Sequence, residues 1–263
     1  MTTRLAMEMH GLSGCNNRSS LNRSFYRLIL GVSTAGRLIV GSIFQMDMLD
    51  FMAEIRFNNN KSFMQAHRDE YIRRMRTPYY RLIEALAPTM TRIDPEMEVR
   101  PSKVLSRIFR DTRYSHDKSP YRDHHWIAFR RRGEPREQSV MYWFEIRLDA
   151  VGWGLGFWGE NRNAFDALRK RMVSNPNELL GLLPILKRRS FILEGEKYKR
   201  MKTPDNLREE LHPWYTSKEI YLVKQGVQPS WAFEGTLTNR LEEDFVALSP
   251  FYQLFRGYYD ISN

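Results

Sequence analysis

The stretch VMYWFEIRL, Val140 to Leu148, most narrows the folds open to this chain. Val140, Tyr142, Phe144, Ile146 and Leu148 alternate with Met141, Trp143, Glu145 and Arg147, a period of two that predicts a strand with one strongly buried face. WGLGFW, from Trp153, alternates again, and Asp149–Gly152 supply turn residues between the two runs, so the pair predicts an antiparallel hairpin. Gly154 and Gly156 fall on one face of the second strand. Glycines there admit either a closely approaching backbone or ligand, or a bulge and room for a large neighbour such as Trp143.

Helical patterns surround the hairpin. Met48, Phe51, Met52 and Ile55 lie at i, i+3, i+4 and i+7, one helical face, and Asn58–Asn60 should supply a C-cap, a turn and a new N-cap. Phe63, Tyr71, Met75, Tyr79, Leu82, Ile83 and Leu86 mark a second helical segment, which Pro78 should kink or restart and near whose end Pro88 should lie. KVLSRIFR and WIAFR read as short strands, Asn163 as the cap of a helix carrying Phe165, Leu168 and Met172, and NELLGLLPILKR as a short helix broken at Pro184. DNLREEL reads as helix and EIYLVKQ as strand, and Leu237 to Tyr258 carry the apolar stripe of one last helix. Strands clustered between helical ends indicate an α+β fold, a mainly antiparallel sheet with flanking helices in a single domain.

The first 45 residues differ from the rest. Arg4, Arg18, Arg23, Arg27 and Arg37 face a single acid, Glu8, among serines, asparagines and glycines. This suits an atypical extension over 1–45, disordered or translated from a start site placed too early, with Met46 or Met48 opening the α+β domain of 46–263; a transit peptide is the alternative. Arg37 splits the most apolar run, Leu28–Phe44, so no membrane span is expected. Cys15 is the only cysteine, which excludes an intramolecular disulfide framework and suits a cytoplasmic location. A net charge of +10 favours an anionic partner, a small molecule or nucleic acid.

RIFRDTRYSHDKSPYRDHH, from Arg107 to His125, holds five lysines and arginines, three aspartates and two tyrosines between the expected strands. Within it FRDTRYSHDKSPYR resembles the R-D-T-R-[FY]-S-x-D-K-x-P-Y-K signature of the conserved hypothetical proteins known as domain of unknown function 2461. FNNNKSF, GWGLGFW and GEKYKRMKTP are similar to further elements of that family, so the resemblance runs from Met48 to the C-terminus. Arg122 stands where the family has lysine, keeping charge but changing hydrogen-bond geometry, and Tyr198 where leucine is common. The resemblance implies no activity, because the family has no settled one.

The residues themselves propose a site. Arg107, Arg110, Arg113, Lys118 and Arg122, joined by Lys197, Lys199 and Arg200, are the candidates for holding a phosphate or carboxylate through charge-assisted hydrogen bonds. Asp111 and Asp117 would orient the arginines or act as acid and base, and Tyr114 and Tyr121 would stack on a base or sugar. The competing reading is a salt-bridged brace, since ion-pair networks resemble sites. His116, His124 and His125 lack metal-ligand spacing and suggest a surface or supporting role, and a nuclease-like reading of Asp111 with Glu145 fails because Arg147 replaces the lysine. No cofactor is expected, as no phosphate-cradling glycine loop or G-x-S-x-G is present. Whether the chain is an enzyme, a nucleic-acid-binding module or an interaction protein stays open.

Overall fold

In the computed structural model, residues 41–262 are described, apart from 137, 158 and 160 and the side chains of 259–262. The expectations for the N-terminal extension fall almost wholly outside these residues. The core, however, takes in Phe44, two residues ahead of the expected domain start; it is 0% exposed, edge-on to Tyr79 at 4.9 Å and stacked on Phe144 at 6.4 Å.

The chain opens with helices α1 (Asp47–Phe57), α2 (Lys61–Ala66) and α3 (Arg68–Tyr71), a π-helical turn (Ile72–Arg76) and α4 (Thr77–Ile93). Met48, Phe51, Met52 and Ile55 are all buried, as their spacing predicts. Asn58 and Asn60 cap as expected, Asn60 accepting from the Phe63 N–H at 2.9 Å. Pro78 restarts the helix: it has no N–H for the carbonyl one turn back, and just before it the Thr77 N–H reaches Ile72 in a wide π turn. Pro88 lies in the last part of α4, which runs on to Ile93. Pro88 is exposed, while buried Thr89 and Met90 hold the last turn in place.

A short helix α5 (Pro101–Val104) precedes strands β1 (Trp126–Phe129), β2 (Val140–Ile146) and β3 (Val151–Phe157). Helices α6 (Arg162–Ser174), α7 (Pro176–Leu180) and α8 (Leu183–Arg189), strand β4 (Ile192–Glu194), helix α9 (His212–Tyr215), strand β5 (Tyr221–Val227) and helices α10 (Leu237–Ala247) and α11 (Ser249–Ser262) follow. All strand pairings are antiparallel in the order β1-β2-β3-β5-β4, an α+β fold with one sheet and flanking helices. The hairpin pairs Val140 with Phe157 and Ile146 with Val151, through a turn over residues 147–150, two residues earlier than expected. Gly154 and Gly156 face the neighbouring backbone: a Cβ on Gly154 would sit 2.0 Å from the Leu222 carbonyl oxygen, and one on Gly156 2.3 Å from that of Ile220.

Several expected elements differ. KVLSRIFR is not a strand; Pro101 starts α5, and the residues beyond it touch their neighbours only through isolated bridges, Leu105 with Ile127 and Phe109 with Tyr121. Asn161, not Asn163, caps α6, accepting from Ala164 N–H at 3.1 Å. Pro184 sits in the first turn of α8, where its missing N–H costs nothing, and the break falls at Gly181–Leu182. DNLREEL yields only a 3₁₀ turn, and the last helix is two, parted at Leu248.

Candidate functional site

The charged stretch is a loop on the β1 side of the sheet, closed on itself. Its arms are joined by Arg110 N–H to the Pro120 carbonyl at 2.9 Å and Arg122 N–H to that of Ile108 at 2.7 Å. Arg122 ties them again by donating to the carbonyls of Arg107 and Phe109 while its guanidinium lies 4.9 Å from the Trp126 ring. From outside, the Asn59 side-chain amide donates to the Tyr121 carbonyl at 2.8 Å and accepts from its N–H at 2.9 Å, satisfying a buried residue's backbone much as a strand would.

Most of the loop's charge is spent internally. Arg110 pairs with Asp117, Arg113 makes a forked pair with Asp111 at 3.0 and 2.7 Å, and Lys118 donates to the Thr112 carbonyl at 2.9 Å. Arg113 holds the Asp111 carboxyl down at about 2, and Ser119 followed by Arg110 does the same for Asp117. Burial works to raise the Asp123 carboxyl, but His124 at 2.7 Å and Arg56 at 2.5 Å outweigh it and keep the group well below the usual range. Asp111 and Asp117 thus orient arginines as expected, and their lowered values make them poor acids at neutral pH.

Arg107 is different: among the described residues its side chain has no ionic partner. It lines a pocket of roughly 590 Å³ beside the loop, together with Tyr121. One wall is α2, α3, the π turn and Tyr80 of α4; the other is Ser102 to Phe109. Lys61, Arg68 and Arg76 also line it and, among the described residues, likewise lack a carboxylate partner. Among the described residues no aspartate or glutamate lines the pocket. Of the acids nearby, Glu70 is engaged with Arg74 at 3.0 Å and Asp47 with Arg73 and Arg74 at 3.3 Å.

Of the sequence-derived candidates, Arg107 and Tyr121 line this pocket, whereas Arg110, Asp111, Arg113, Asp117, Lys118 and Arg122 form the loop's own network. Lys197, Lys199 and Arg200 are not brought to them. They follow β4, where Lys197 bridges Ser217 near β5, at the sheet edge opposite β1. Four inter-strand steps of about 4.8 Å put roughly 19 Å between those edges.

Three residues outside the sequence-derived candidates, His125, Ser106 and Tyr71, complete the site. His125 is 1% exposed rather than at the surface, and hydroxyls flank both its ring nitrogens: Ser106 Oγ lies 3.0 Å from Nδ1 and Tyr71 Oη 3.0 Å from Nε2. The Tyr79 hydroxyl donates to the His125 carbonyl at 2.9 Å, and the Trp126 N–H donates to Ser106 Oγ at 3.1 Å. Burial, then His124, pulls the imidazole down to about 3, so it is neutral at physiological pH; burial pushes the Tyr71 phenol up to about 12. Ser106 and Tyr71 both line the pocket. The signal was in the alternation: His125 shares the inward face with Ile127 and Phe129, as Ser106 does with Val104 and Ile108.

Among the described residues no helix is long and apolar enough to cross a membrane. No curated protein and no solved structure matches the chain. The family model described as "Conserved hypothetical protein (DUF2461)" matches residues 47–254, a span that includes the whole pocket and its charged loop. The chain therefore belongs to the domain of unknown function 2461 family.

Proposed function

We propose that this protein binds a phosphate-bearing anion in the pocket between α2–α4 and the Ser102–Phe109 segment. The observation that carries this reading is the lining: Lys61, Arg68, Arg76 and Arg107 supply positive charge with no carboxylate among the lining residues. Cations gathered without counter-ions repel one another, and an anion relieves that repulsion while taking up their donors. Apolar Met64, Ile72 and Ile108 would cover an uncharged remainder of the ligand. The loop of residues 107–122 contributes Arg107 and Tyr121 to binding, and its other charges hold those two in place.

The test is thermal stabilisation of the full chain by pyrophosphate. A ligand at a hundred times its Kd adds about 2.7 kcal/mol, several degrees of Tm for a domain of this size. The shift should disappear in the double variant Arg76→Ala/Arg107→Ala and persist in Arg208→Ala, whose exposed pair with Glu210 lies outside both the pocket and its loop. An equal shift in the double variant refutes the reading. A second reading, single-stranded nucleic acid, is favoured by Tyr114, 93% exposed beside Arg113, and Phe109, 63% exposed. It requires affinity that falls steeply with salt and is lost in Tyr114→Ala.

A further inference from the structure

Hydroxyl, imidazole and hydroxyl stand in a line, Ser106–His125–Tyr71, with both ends on the basic pocket and a contact of 3.0 Å at each junction. A serine within reach of a histidine nitrogen, with the other nitrogen fixed by a third group, is the arrangement of an activated nucleophile. Here the third group is a phenol. A carboxylate would stabilise an imidazolium; a phenol cannot do so to the same degree, but it can accept one proton while giving up another.

We propose that the pocket is an active site in which Ser106 attacks an ester bearing an anionic group elsewhere in the molecule, with His125 and Tyr71 carrying away the serine proton. The anionic end of that substrate rests on the binding reading above; the reactivity of Ser106 does not. As Ser106 Oγ bonds to the acyl carbon, its proton passes to Nδ1, the Nε2 proton passes to Tyr71 Oη, and the Tyr71 proton leaves to pocket water or the departing oxygen. The ester C–O bond breaks, the alcohol departs with a proton, and water then hydrolyses the acyl-serine to carboxylic acid and free Ser106. The imidazole changes tautomer without acquiring net charge, in keeping with a ring so deeply buried. The Trp126 N–H occupies one lone pair of Ser106 Oγ, and with the hydroxyl proton on Nδ1 the other remains for attack. Tyr71 adjoins the π turn that presents Arg76, so the distal hydroxyl of the relay lies beside one of the pocket's unpaired cations.

The experiment treats the full chain with an uncharged alkyl fluorophosphonate, whose P–F bond breaks with loss of fluoride as Ser106 Oγ bonds to phosphorus, and locates the adduct by peptide mass spectrometry. One adduct on the Ser106 peptide is expected, absent in Ser106→Ala and formed at least about tenfold more slowly in Tyr71→Phe, which keeps the ring and removes the relay's distal hydroxyl. The wild-type rate should be level from pH 6 to 8, because the His125 ring stays neutral throughout that range. No adduct on Ser106, or the same rate in Tyr71→Phe, overturns the proposal. An adduct in a chain that pyrophosphate does not stabilise sustains the relay and removes the anion reading; stabilisation without an adduct does the reverse.

Discussion

Lowering the pH from 7 to 5 should cost this protein about 2 kcal/mol through His125 alone. In the unfolded chain a histidine takes up its proton near pH 6.5, whereas in the fold burial holds the ring down to about 3. A folded value below the unfolded one means that the unfolded state binds more protons as pH falls, so stability is intact above about 6.5 and drains away between there and about 3. At 1.36 kcal/mol per unit over the roughly 1.5 units from 6.5 to 5, the loss is about 2 kcal/mol. The groups facing the ring make no compensation, for Ser106 and Tyr71 are hydroxyls, Tyr79 binds only its carbonyl, and His124 and Arg122 disfavour its charge. The carboxylates of Glu98, Asp111 and Asp117, held at about 2, release their contribution only as the pH falls below the ordinary carboxylate range near 4. Urea unfolding at pH 7 and 5 of the wild type and His125→Gln measures the effect: the variant, lacking the group, should lose about 2 kcal/mol less over the interval, whatever its stability at pH 7. Nitrogen NMR of the His125 ring gives a second measure. Titration near 6.5 in the folded protein, or equal losses in the two chains, would refute the reasoning.

Two substitutions examine the supports of the site. Asn59→Ala leaves the buried Tyr121 N–H and carbonyl unpaired, at about 1–3 kcal/mol for each group, and urea unfolding should show a loss within the sum of the two. Gly154→Ala places a methyl group against the Leu222 carbonyl in the sheet's interior, and should part β3 from β5 and abolish the cooperative transition in circular dichroism, where a well-tolerated variant would contradict the packing.

The fold was legible wherever pattern and packing agree. The alternation of Val140–Ile146 and the 48/51/52/55 face became buried surfaces because each buries enough apolar area to decide its own conformation. KVLSRIFR misled because alternation shows which side chains face inward, not whether a backbone partner lies alongside; Val104, Ser106 and Ile108 do face inward, yet Pro101 turns the segment into a helical turn. Charge density drew attention to the loop, of whose candidate residues Arg107 and Tyr121 line the pocket while the others pair within the loop. Arginine and aspartate two to seven residues apart can satisfy one another within one loop, as Arg113 with Asp111 and Arg110 with Asp117 do. The pocket instead draws its cations from Lys61, Arg68, Arg76 and Arg107, which no local pattern joins.

That division of labour gives the loop a purpose. Charges that neutralise each other hold a backbone shape without an external ligand, and the shape they hold sets Ile108 against Arg122 and, through Asn59, Tyr121 against the turn ahead of α2. The segment from Ser106 to Phe109 is thereby fixed along the pocket wall, with Ser106 on the buried imidazole and Arg107 lining the pocket without a counter-ion. A hydroxyl and a guanidinium on consecutive residues of an unbraced strand would wander with it; here the energy of exposed ion pairs, small for each alone, acts together with two backbone-like bonds from Asn59 to keep them in register. Loosening the brace should therefore weaken anion binding before it unfolds the chain, because the pocket needs the loop's shape while the core beneath β2 and β3 does not.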